Sequence, residues 1–334
     1  MKRVGASPTP TGMFQGQEDQ QKGAFMMNDE LNRRTFLKRA GQAGGLVVAG
    51  GTLEALLAAC GGNVSTTGGG SSATPGATKI VPAGLKNPNL LQWGADYVSG
   101  APYVFQDPQN PSKLIGFEVE IAQAIAGLMG ILQSQVEIEY DNLAQALAAN
   151  QFDMVMNGWE KNADREKTEL FSDPYYRYGQ QIIVRKDDTR FQNVNPTDIK
   201  IFEGMTVGTG GGYLAETIMQ GDPKIHIKAY NGTLAFSDLV QKKVDAFFLD
   251  SPIAAYYILG SGPGATPIPQ LKLLGKPIYT DNYYVGFNKS NPNAAKLLPK
   301  INEAFAALKK DGTLKRIYQK WQMWNDLQAQ IGIL

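Results

Sequence analysis

Three observations predict an α/β fold: one strongly periodic stretch, apolar strand-like runs on either side of it, and the return of that alternation through to the C-terminus. In residues 116–129, Phe117, Ile121, Ala124, Ile125 and Leu128 recur at offsets of three and four, giving a helix one apolar stripe and leaving Glu118, Glu120 and Gln123 to water. Residues 90–95 before it and 136–140 after it read as strands, so strand, helix and strand make a parallel unit. With 334 residues, 43% apolar and 19% charged, the chain has material for one large or two medium α/β cores. A formal net charge of +1 argues against a nucleic-acid surface.

The first 79 residues are of another kind. Residues 1–30 are polar and aperiodic, and Met26 or Met27 offers an alternative start. Arg33-Arg34-Thr35-Phe36-Leu37-Lys38 then precedes a Gly/Ala/Leu/Val run ending in small residues, the pattern of an export signal, and its paired arginines are similar to the twin-arginine type. Leu57-Ala58-Ala59-Cys60 resembles a bacterial lipobox, which implies acylation of Cys60. Cys60 is also the only cysteine, so a disulfide framework and a cysteine-based metal cluster are excluded. Residues 1–60 are therefore read as extension and signal. Residues 61–79, rich in Gly, Ser, Thr, Ala and Pro, form a flexible tether of about 20–25 Å root-mean-square length.

Beyond the tether, strand 90–95 delivers a loop with Asp96, Tyr97 and Tyr103 to its carboxyl end, where open α/β sheets bind ligands; Asp96 suits a turn cap equally well. A helix from Leu143 to Asn150 leads to strand 152–156, which carries residues 157–165, with Gly158, Trp159, Glu160 and Arg165, to the same edge. Strands at 178–184, 205–208, 225–230 and 244–249 alternate with helices, among them one starting in Gly210-Gly211-Gly212-Tyr213-Leu214, and residues 271–279 lead back toward the first part of the chain. No Gly-Lys-Ser/Thr follows these glycines, which argues against a phosphate loop, though free N–H groups at a helix start suit a carboxylate. Asp250 precedes Ser251-Pro252 and suits a helix cap. His226 is the sole histidine, so a catalytic triad or zinc site is not expected.

Gly116-Phe117-Glu118-Val119-Glu120-Ile121, with Ile125-Ala126 and Met129 following, is similar to the signature of the family 3 solute-binding proteins of ABC importers, the receptors for polar amino acids. The run 152–176, ending in Phe171-Ser172-Asp173-Pro174-Tyr175-Tyr176, also resembles that family, and the likeness covers about residues 85–325. It implies a two-lobed periplasmic-binding fold of type II: lobe 1 from 80–180 plus 283–334, lobe 2 from 181–282, two hinge crossings, and a mostly parallel sheet with flanking helices in each lobe. It further implies that Arg165 pairs the ligand's α-carboxylate, that Gly212, Tyr213 and Leu214 clasp it through backbone N–H groups, that Asp250 holds the α-ammonium, and that Tyr140 stacks on the ligand's side chain. Trp159 is an aromatic of the rim or of the core. Glu160 and Asn162 stand where the family usually has hydroxyl residues. Glu160 can bind an ammonium group, or pair with Lys161 or Arg165.

The expected protein is thus a monomeric, lipid-anchored receptor on the outer face of the cytoplasmic membrane. It would pass a polar amino acid to a permease with a cytoplasmic ATPase, without cofactor, metal or catalytic residue. Two alternatives stay open: a cleft enzyme of the cyclohexadienyl dehydratase type, with Glu160 as general acid or base, and a ligand-sensing domain.

Overall fold

The computed structural model describes residues 79–334; the extension, the signal with Cys60 and all but the last residue of the linker lie outside the described residues. In chain order β1 (Leu90–Ala95) is followed by a hairpin of β2 (Phe105–Asp107) and β3 (Asn110–Ile115), then α1 (Phe117–Met129), β4 (Leu132–Glu137), α2 (Leu143–Ala148), β5 (Met154–Val155), α3 (Arg165–Thr168) and β6 (Glu169–Phe171). The second lobe holds β7 (Tyr176–Arg185), β8 (Thr206–Gly210), α4 (Leu214–Gln220), β9 (His226–Tyr230), α5 (Phe236–Val240), β10 (Ala246–Asp250), α6 (Ser251–Ala254) and β11 (Leu271–Tyr283). The chain then returns through β12 (Gly286–Asn288), α7 (Ala294–Lys310) and α8 (Thr313–Lys320). No helix among the described residues is long and apolar enough to cross a membrane.

Each lobe is built on one five-stranded sheet, ordered β4-β1-β5-β12-β6 and β11-β7-β10-β8-β9. Strands joined by a local helix run parallel, β1 with β4 and β8 with β9, while strands that cross between lobes pair antiparallel, β12 with β6 and β7 with β11. The sheets are therefore mixed, because the two crossings enter them against the local direction. The crossings lie side by side: Ser172 N donates to Val285 O at 3.0 Å, Tyr175 N to Tyr283 O at 3.0 Å, and Tyr176 pairs with Tyr283. Since β7 belongs wholly to the second sheet, the first crossing comes a few residues before the expected boundary at 180.

The helix α1 fixes one wall of the cleft. A Cβ at Gly116 would stand 1.9 Å from Tyr103 O, so only glycine allows this approach. The free N–H groups of Phe117 and Glu118 then donate to Pro102 O and Tyr103 O, both at 3.1 Å, and fasten the 96–103 loop to the helix start. Phe117, Ile121 and Ile125 are fully buried, a gain of roughly 1.5–3 kcal/mol each.

One local expectation is corrected: Glu118 is not wet but fully buried, because the inward face of α1 runs through positions 118, 122, 125 and 129 as well. The Pro- and Asn-rich stretch before α1 holds the β2–β3 hairpin.

Candidate ligand-binding cleft

At the crossing, side chains from both lobes converge on one small cavity. It is lined by Asp96, Tyr103, Tyr140, Gly158 and Glu160 from the first lobe and by Tyr213, Asp250 and Ile253 from the second. Its volume is about 20 Å³, room for about one water. Across it the rings of Tyr140 and Tyr213 meet edge to face with centroids 5.1 Å apart.

Asp250 ends β10, in the centre of the second sheet. It precedes α6 but makes no side-chain capping bond, so its carboxyl is free for the cleft. Gln180 Nε2 donates to Oδ1 at 2.8 Å, and the Tyr283 hydroxyl donates to Oδ2 at 2.5 Å. Tyr103, whose hydroxyl is 2.8 Å from that of Tyr283, adds a longer bond of 3.4 Å to Oδ2. Burial, reinforced by the charge of Glu160, raises the Asp250 carboxyl to about 8.

Glu160 is just as buried. Its Oε2 accepts from the Tyr140 hydroxyl at 3.0 Å and from Arg165 Nη1 at 3.3 Å, and its Oε1 accepts from Tyr178 at 3.3 Å. Burial raises this carboxyl too, with the Arg165 guanidinium pulling it back down. Of the partners considered from sequence, Arg165 is the one found; Lys161 pairs instead with Glu166 at 2.7 Å. Asp96 also turns its carboxylate inward on its own loop: Oδ1 accepts from Val98 N and Ser99 N, at 2.8 and 3.0 Å, and Oδ2 from the Ser99 hydroxyl. It caps a turn and lines the cavity at once.

The remaining predicted residues stand further back. Arg165 does not line the cavity; its guanidinium lies 3.3 Å from the centroid of the Trp159 ring and donates to Glu160 O at 2.8 Å. Trp159 is core, packed with Leu143, Leu147 and Val155, and its Nε1 donates to Glu169 at 2.7 Å. Gly212 N donates to Glu216 Oε2 at 2.8 Å, so this N–H is already taken, and neither Gly212 nor Leu214 lines the cavity. Tyr213 does, its ring folded over Gly210, where a Cβ would meet it at 2.5 Å.

Sequence reasoning missed Tyr178, Gln180 and Tyr283, which hold the two acids, and Glu118. Glu118 Oε1 accepts from Gly158 N at 2.7 Å and from the Tyr175 hydroxyl at 2.5 Å, tying the cleft loop to the first crossing. Burial pushes its carboxyl up to about 8. The available signal was the density of tyrosines at the crossings: Tyr175, Tyr176 and Tyr178 in one, Tyr283 and Tyr284 in the other.

This geometry, two lobes over a polar cleft, agrees with the comparisons. Residues 94–323 match the model of the bacterial extracellular solute-binding proteins, family 3. The chain belongs to that family. It is 33% identical over 282 residues to the probable amino-acid-binding protein YxeM of Bacillus subtilis (strain 168), covering 83% of this chain and 93% of the relative. The ABC transporter arginine-binding protein 1 of Escherichia coli (strain K12) is 26% identical, over 63% of this chain and 82% of its own. Among solved structures, the ancestral amino acid-binding protein AncCDT-1, a precursor of cyclohexadienyl dehydratase, superposes with a TM-score of 0.60 at 28% identity, over 70% of this chain and 95% of that one. The family 3 member described here is thus a two-lobed substrate-binding protein of type II.

Proposed function

We propose that the chain captures a polar amino acid for an ABC importer, held by acylated Cys60 at the outer face of the cytoplasmic membrane. The observation that carries this reading is the convergence of Asp250 from one lobe with Glu160 and Asp96 from the other on a single cavity. Contacts contributed by both lobes are complete only when the lobes close, so a ligand that makes them shifts the equilibrium toward the closed form. The closed form then docks on the permease, whose cytoplasmic ATPase drives transfer. The acidic lining favours an amino acid with a cationic side chain.

Binding is favoured over catalysis by the relatives, among which are a probable amino-acid-binding protein and an arginine-binding protein.

The test is a thermal-shift screen of the full chain against the twenty amino acids, prephenate and arogenate. At a hundred times its Kd a ligand stabilises by about 2.7 kcal/mol. A raised midpoint with one or a few amino acids, lost in Asp250→Ala, supports the receptor. Silence from the amino acids with turnover of prephenate or arogenate overturns it in favour of the enzyme.

A further inference from the structure

We infer that the loop at residues 260–266 of the second lobe, with Tyr256 before it, is a latch: it seats on the first lobe beside the cleft and holds the two lobes together independently of any ligand. Its effect on affinity rests on the receptor reading, whereas its effect on closure does not.

The lobes meet at two separate places. One is the cleft, with Tyr140 against Tyr213 and Tyr103 against Asp250. The other lies behind the 96–103 loop, which presents Asp96, Ser99 and Tyr103 to the cavity and Tyr97, Val98 and Ala101 to a groove on its back. There the first lobe offers Phe105 of the β2–β3 hairpin and Trp321, just after α8, with ring centroids 6.1 Å apart. The second lobe meets them with Tyr256, whose ring stands edge to face with Phe105 at 5.4 Å. All three rings are buried, and none lines the cleft cavity.

The sequence shapes the second lobe's half for close approach. After α6 the chain makes one turn of π helix, Ala255–Leu259, and leaves it at Gly260. Gly260, Gly262 and Gly264 then take positive φ of +72°, +93° and +77°. A Cβ on Gly262 would stand 2.8 Å from the Trp321 ring and 3.3 Å from the Trp321 carbonyl oxygen, and one on Gly264 would stand 3.3 Å from Pro108. Backbone of one lobe thus lies directly on residues of the other, an approach that a side chain at Gly262 would push back. These contacts exist only while the lobes are together, and they take up no residue that lines the cavity. Buried aromatic pairs gain more than their area alone supplies, so breaking this seat shifts the free chain toward the open form, and apparent affinity falls with the closed fraction.

Small-angle X-ray scattering of the free full chain, with calorimetric titration by arginine as the probe, tests this in Tyr256→Ala and Gly262→Ala. The control is Tyr257→Ala, which removes the neighbouring ring packed on Phe236 inside the second lobe, at 5.0 Å. Both latch variants should have a larger radius of gyration than the wild type when free, should return to the wild-type value with saturating arginine, and should bind it about two- to tenfold more weakly. The control should match the wild type in radius. Tyr256→Leu serves if the alanine variant fails to fold. Free radii no larger than that of the wild type, an equal rise in the control, or unchanged affinity in variants that do open overturns the inference and leaves the receptor standing. A wild type that binds no arginine counts against the receptor reading for that ligand, while the free radii still decide the latch.

Discussion

Replacing Glu118 by glutamine should make the protein more stable, by an amount that grows with pH. Its carboxyl has a folded-state pKa near 8 against an ordinary value of 4.5, raised by complete burial and only partly offset by the bonds from Tyr175 and Gly158. A carboxyl raised in this way contributes stability that is fully present below its unfolded pKa and is lost as pH rises through its folded one. The wild type therefore loses about 1.4 kcal/mol per pH unit from this one group over that window. Glutamine keeps an oxygen for Gly158 N–H and Tyr175, and it carries no titrating proton. Chemical denaturation of both proteins at pH 6 and pH 8 isolates the effect, because all other titrating groups are common to the two. The advantage of Glu118→Gln should grow by about 2–3 kcal/mol between those conditions. A difference independent of pH, or a variant losing more stability at pH 8 than at pH 6, would show that the buried carboxylate is ionised and that the argument is wrong.

Three further outcomes follow from the same geometry. Binding of a cationic ligand must ionise Asp250, so below its pKa of about 8 affinity should fall by up to about tenfold per pH unit, with calorimetry in two buffers recording release of a proton, and Asp250→Asn should flatten the dependence. Gly158 has φ +59° and a Cβ there would stand 2.8 Å from the Tyr103 ring, so Gly158→Ala should cost about 1–3 kcal/mol in denaturation and weaken ligand binding as Tyr103 is displaced. Trp159→Ala should cost about 3–5 kcal/mol, since it empties a core position and removes the platform under Arg165; a loss below about 1 kcal/mol would contradict the core assignment.

The secondary structure was legible where its cause is local. The stripe of α1 and the strand read at 244–249 are local patterns and both are found: Phe117, Ile121 and Ile125 are buried, Ala124 and Leu128 partly so, and β10 runs from Ala246 to Asp250. Strand ends were less so: β4 lies at 132–137 rather than 136–140, because Tyr140–Asn142 forms a turn of 3₁₀ helix that no periodicity announces. In the site, types and places were visible but partners were not. Nothing near Glu118 in sequence marks it as buried, since the groups that satisfy it lie 40 and 57 residues away. Arg165 was legible as a cation at the cleft edge and as one of two cations open to Glu160; which of them pairs with it was not, since Lys161 is taken by Glu166.

The C-terminal segment bears on where the functional unit ends. Trp321 Nε1 and Lys320 Nζ reach Glu120 of α1, at 2.9 and 2.8 Å, while the Tyr176 hydroxyl donates to Met323 O at 2.8 Å. Further on, Gln328 takes both backbone groups of Arg177, accepting from its N–H at 3.0 Å and donating to its carbonyl at 2.7 Å. The family match stops at residue 323, so a version of the chain cut there would retain every lining residue of the cleft and still lose the clamp on the first crossing strand. Such a truncation separates the two roles of this region: pocket chemistry would survive, whereas the crossing strand would lose its brace at Arg177.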